Sequence, residues 1–129
     1  MATIKRFEDL DVWKKSRILI NVIYSVTRSP KFGRDLLLSN HIRKTSVSIL
    51  SNIAEGFERD GNKEFINFLS IAKGSCGELR SQLYIAYDQE YINEDQFKEM
   101  TNLAEEISKS IKGLMVYLQN SDFKGVKNK

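Results

Sequence analysis

Of cysteine, histidine, proline and tryptophan, this chain of 129 residues has one each: Cys76, His41, Pro30 and Trp13. Each shortage excludes something. One cysteine cannot form an intramolecular disulfide, and it fits a reducing compartment. One histidine cannot supply the Glu-x-x-His motif that a di-iron bundle draws from each of two helices, and with one cysteine it cannot complete a Cys/His zinc site. One proline leaves long helices permitted almost everywhere else. No apolar run approaches the ~20 residues of a membrane-spanning helix. The opening Met1-Ala2-Thr3-Ile4-Lys5-Arg6 lacks the apolar stretch of a secretory signal, so the expected location is the cytoplasm, with no membrane partner. There is no Gly-rich phosphate loop, and no serine has an obvious local base. The carboxylate pairs Glu55/Glu58 and Glu105/Glu106 read as a turn contact and as adjacent helix neighbours that point apart. The expectation is a protein that is not an enzyme and needs no cofactor or metal.

What the chain does have is helical periodicity. Val12, Leu19, Ile23 and Val26 share one helical face, with Trp13 and Ile20 beside it, and Asp9 and Asp11 suit a first turn. The stretch from Arg28 through Pro30 to Gly33 reads as a closing turn. Leu38, Ile42, Thr45, Ile49, Ile53 and Phe57 make a second stripe, ended by the turn signal Asp60-Gly61-Asn62. Phe65, Leu69, Ala72, Cys76, Leu79, Leu83 and Ala86 alternate spacings of four and three, a third seam on which Cys76 reads as a buried, inert thiol. Asn93 followed by Gln96 resembles a capping box, and Met100, Leu103, Ile107, Leu114 and Leu118 form the fourth stripe. No useful length alternates with period two. These patterns predict an all-α, up-down-up-down four-helix bundle over residues 1–120, with helices over about 10–27, 35–58, 63–89 and 94–120, followed by a mobile basic tail over 121–129.

The third helix carries a second pattern. Opposite its seam stand Ser70, Gly74, Gly77 and Ser81, flanked by Ile66, Ile71, Tyr84 and Ile85. A glycine within a helix costs roughly 1 kcal/mol relative to alanine, so two on one face call for a packing reason. Two are open: the face packs within the same chain, against the second helix or the connection after it, or it is an interface between copies.

Charge is unevenly spread. From Val12 to Ala54 the bases Lys14, Lys15, Arg17, Arg28, Lys31, Arg34, Arg43 and Lys44 meet one acid, Asp35, whereas Phe65 to Asn120 holds five bases and eight acids. Lys14, Arg17 and Arg28 share the polar face of the first helix, and Arg43 and Lys44 lie on the second helix away from its seam. Lysine and arginine on helix surfaces with little acid nearby suit a phosphate backbone, RNA or DNA. A merely solvated basic surface reads the same way, and no RNA-recognition, zinc-finger or helix-turn-helix signature separates the two.

Several segments together resemble a known family. They are Phe7-Glu8-Asp9-Leu10-Asp11-Val12-Trp13; Ile42 to Ile49; Ser51-Asn52-Ile53-Ala54-Glu55-Gly56-Phe57; Glu64-Phe65 with Phe68-Leu69; and Ala72-Lys73-Gly74-Ser75 followed by Glu78-Leu79 and Gln82-Leu83. This set, over roughly residues 7 to 119, resembles the 23S rRNA intervening-sequence proteins of bacteria, also called the four-helix-bundle protein family. The resemblance implies a four-helix protomer and a homopentameric ring. It extends to the accessory variability determinant proteins of diversity-generating retroelements, which implies nucleic-acid binding and, as the other possibility, an adaptor role beside a reverse transcriptase. The family's basic pair in the second helix falls on Arg43 and Lys44. Glu58 and Asn67 stand where the family more often has a small residue and an arginine, and both lower the positive charge.

Overall fold

A computed structural model of the chain describes residues 4–121. Residues 122–129, most of the expected tail, lie outside the described residues, as do 1–3. Helices form all the regular structure described: α1 Asp11–Thr27, α2 Pro30–Arg34, α3 Leu36–Glu58, α4 Asn62–Asp88 and α5 Glu94–Gln119, preceded by a 3₁₀ turn at Phe7–Asp9. Among the described residues there are no strands, and four of the five helices are long.

Local chemistry explains the ends. Asp9 sits in the 3₁₀ turn rather than in the first turn of α1, so of the two carboxylates expected there only Asp11 is present. Arg28–Gly33 is not a plain turn. Pro30 takes the first helical position, where its missing N–H removes no bond, and nucleates the single turn α2. Asp35 caps α3 by accepting the Leu38 N–H at 3.1 Å. Gly61 precedes α4 with φ +85°, a conformation that glycine adopts without strain. At the other end of α4, Glu90 takes the left-handed position with φ +61°. The Tyr91 N–H there donates to the Ala86 carbonyl and the Glu90 N–H to the Tyr87 carbonyl, both at 2.9 Å, the pair of bonds of a Schellman motif. The capping box of α5 is complete: Asn93 Oδ1 accepts from the Gln96 N–H at 2.8 Å, and Gln96 Oε1 from the Asn93 N–H at 2.9 Å.

The long helices pack in the cyclic order α1–α3–α4–α5, which leaves α1 diagonal to α4. Neighbours run antiparallel. Ser48 and Ser75 meet hydroxyl to hydroxyl at 3.1 Å, the Asn62 side chain reaches the Leu118 carbonyl at 3.2 Å, and Lys15 reaches Glu106 at 2.9 Å. All seven seam residues of α4, from Phe65 to Ala86, are fully buried. Opposite them lie Ile42, Ile49 and Ile53 of α3 and Met100, Ala104, Ile107 and Ile111 of α5. Each large side chain so buried contributes about 1.5–3 kcal/mol of transfer free energy. Val26, Leu38, Leu103 and Leu114, assigned to the seams by spacing, are only partly buried and pack at its margin. Gly56 lets α3 and α4 approach: a Cβ there would lie 2.6 Å from Phe68 Cβ and 3.1 Å from Phe65 Cδ1. Six small hydroxyl side chains also enter the interior, and Ser16, Thr27, Thr45 and Ser46 satisfy themselves on carbonyls three or four residues back.

Candidate functional site

The basic residues divide by the groove each one borders. Lys14, Arg17 and Arg28 are exposed on the outward side of α1, with Arg28 about 21 Å along the axis from Lys14. Arg17 lies over the Trp13 ring at 5.9 Å. Arg43, from α3, turns towards α1: its Nε donates to Thr27 Oγ1 at 2.8 Å and its guanidinium covers the Tyr24 ring at 4.6 Å. Stacking and hydrogen bonding hold this side chain in one orientation without a carboxylate. Lys44, its neighbour in sequence, goes the other way and borders the α3–α4 groove with His41, Thr45, Ser48, Glu78 and Gln82. The five expected residues are thus not one cluster. Arg43 joins the α1 side, where Lys14, Arg17 and Arg28 lie, and Lys44 is set apart.

None of the five forms an ion pair with a carboxylate among the described residues. Lys15 shows the contrast. It is held by Asp11 at 3.0 Å, by Glu106 at 2.9 Å and by Ser110 at 3.3 Å, and the bonds to Glu106 and then Asp11 raise its pKa above the ordinary 10.5. That lysine ties α1 to α5. Lys31 and Arg34 on α2 extend the unpaired basic surface beyond Arg28. Both count among the bases of that half, but their place in an expected turn kept them out of the candidate site, although Pro30 at a helix start with bases one and four residues later was the available signal.

The second face of α4 is open. Ser70, Gly74, Gly77 and Ser81 are exposed, and a Cβ built on Gly74 or Gly77 would meet nothing within 4 Å. Of the two explanations for these glycines, packing within the chain therefore fails among the described residues. Ile71, Tyr84 and Ile85 beside them are 53%, 59% and 49% exposed. Tyr84 and Tyr87 each contact the Phe97 ring at 4.9 Å, which gives the patch a fixed aromatic edge.

The α3–α4 groove is polar. Asn52 Nδ2 donates to the Ser48 carbonyl at 2.8 Å and to its hydroxyl at 3.1 Å, while the Gln82 Oε1 is buried without a hydrogen-bond partner. Burial pushes the Cys76 thiol up to about 11, which keeps it neutral and a poor nucleophile. No group of three or more metal-ligating side chains comes together among the described residues, and no helix there is long and apolar enough to cross a membrane.

Comparison with known proteins adds the following. Residues 8–113 match the sequence model of a family described as 23S rRNA-intervening sequence protein. Among solved structures, a protein of unknown function from the S23 ribosomal protein family of Bacteroides thetaiotaomicron is 26% identical, with a TM-score of 0.74 over 81% of this chain and 97% of that one. No curated protein matches.

Proposed function

Because the chain belongs to the 23S rRNA-intervening sequence protein family, we propose that it is a non-catalytic protein that associates with copies of itself and binds the backbone of RNA or DNA. One observation carries the nucleic-acid part. Lys14, Arg17, Arg28 and Arg43, with Lys31 and Arg34, lie along α1, α2 and the α1 side of α3, and none has a carboxylate ion-pair partner among the described residues. Phosphates are the ligand that unneutralised lysines and arginines on a helical surface bind best. Nothing in the arrangement reads bases, so binding is to the backbone and indifferent to sequence. Lys44, on the α3–α4 groove, is not part of this surface.

Self-association is supported by the uncovered glycine and serine face of α4 with its isoleucines and tyrosine. A ring of five is the assembly that the family resemblance implies, and it would multiply the chain's formal charge of +3.

Fluorescence titration of labelled RNA and DNA, beside light scattering of the free protein, tests both parts. Binding at low salt that weakens as salt is raised supports the first, and the absence of binding at low salt ends it. Binding to an acidic protein with none to nucleic acid would favour an adaptor role instead. A solution mass equal to one 14.9 kDa chain at every concentration ends the second part.

A further inference from the structure

The two most exposed large apolar side chains outside α4 are Leu36 and Leu37, at 67% and 71%, on the first turn of α3. They belong to the outward face of α3, with Asn40 and Lys44 following at helical spacing. Their position along the bundle can be counted from the Ser48–Ser75 contact, which sets the register of α3 against α4. Leu37 lies eleven residues before Ser48 and Ile85 ten residues after Ser75, so these two stand at the same height to within about 1.5 Å, and the Leu36–Leu37 and Tyr84–Ile85 pairs to within about 3 Å. Lys44 and Glu78 share a height further in, and both border the same groove.

We infer that the outward face of α4 docks head to tail on the outward face of α3 in a second copy, with Leu36 and Leu37 against Tyr84 and Ile85, and Lys44 opposite Glu78. This rests on the self-association proposed above and names the surface that meets the α4 face. Three observations select it. Equal height is the first: a closed ring admits no shift along its axis, and these patches need none. The exposed apolar residue of α5, Val116, fails here, because α5 ends where α4 begins, at the opposite end of the bundle from Ile85.

Charge is the second. Arg34 and Lys44 outnumber Asp35 near the leucines in sequence, whereas Glu78, Asp88 and Glu90 outnumber Arg80, itself paired with Glu105, near the tyrosine and isoleucine, so each patch meets a net opposite sign. Direction is the third. Adjacent corners of a four-helix square face about 90° apart, and a head-to-tail contact between such faces turns each copy by about 90°, which closes a ring after four copies or, with a modest opening of the angle, five. A contact between α4 and the diagonal α1 would give no turn and an open filament. Docking through α3 and α4 also leaves Lys14 and Arg17 of α1, and Arg28 just after it, uncovered.

Disulfide trapping tests the pairing, since Cys76 is buried and takes no part. Leu37→Cys and Ile85→Cys chains are co-expressed and exposed to a mild oxidant. The mixture should give linked pairs while each variant alone gives none, and the chain carrying both substitutions should give a ladder whose last rung counts the copies. Linking of Ile85→Cys chains to themselves would show a two-fold α4–α4 contact and overturn the pairing, with self-association intact. An oligomeric mass without the mixed link would overturn it equally. A single-chain mass throughout would instead remove the self-association on which it rests. Lys44→Glu should weaken association about fivefold and Glu78→Lys in the same chain restore it; no recovery would count against the pairing.

Discussion

Two glycines of this chain lie in opposite environments, one crowded and one open. At Gly56 an added methyl group would meet the Cβ of Phe68 and the ring of Phe65 in the neighbouring helix. Gly56→Ala is therefore expected to destabilise the fold by about 1–3 kcal/mol, because backbone must move to admit it, and urea denaturation would measure this. Gly77 has open space at the same test, so no contact among the described residues explains it. Tyr91 is a second residue with a readable consequence. Its hydroxyl donates to Asp35 at 2.9 Å, which raises its pKa above the ordinary 10.0. A group whose folded pKa is raised contributes stability that is fully present below its unfolded value and lost as pH rises through the folded one. Lys15, raised from 10.5 by Glu106 and Asp11, acts in the same direction. The melting temperature is expected to hold steady between about pH 7 and 9 and to fall above about pH 10, with a smaller fall in Tyr91→Phe.

Among the elements, α5 depends most visibly on the residue that caps it, Asn93. Asn93 and Gln96 satisfy each other's backbone N–H groups at a helix start that also carries Glu94 and Asp95. Asn93→Ala should cost about 1 kcal/mol, read as a lower urea midpoint with an unchanged slope. This cap could be read from the sequence because its chemistry spans only four residues. The α4 seam could be read for a similar reason: its seven apolar positions keep strict spacing, and all seven are buried. The segment holding α2 could not. Serine before proline and a nearby glycine carry the signals of a turn, and a single helical turn satisfies the same constraints. The margins of α1, α3 and α5 were blurred too, since spacing shows which way a side chain points but not how far the next helix reaches.

For the whole molecule, the order α1–α3–α4–α5 puts the base-rich half of the chain on one side of the bundle and the acid-rich half on the other. The chain is then electrically polar, which suits the head-to-tail contact and the polyanion binding proposed above. If about four phosphates are neutralised per protomer, affinity for DNA should fall roughly a hundredfold between about 50 and 200 mM salt. Replacing Lys14 and Arg17 with glutamine should flatten that slope for every sequence alike, as a binding isotherm at several salt concentrations would show.

Sequence by itself determined the four long helices, most of the buried seam positions and the existence of a second face on α4, because each of these follows from spacing along one helix. The sequence left two points undecided that the tertiary arrangement resolves: that none of the described residues of the same chain covers the glycines of this second face, and that Arg43 and Lys44 border different grooves. Successive residues on a helix point about 100° apart whatever surrounds them. Which neighbour each one meets depends on how the other helices are arranged around it, and no local pattern records that arrangement.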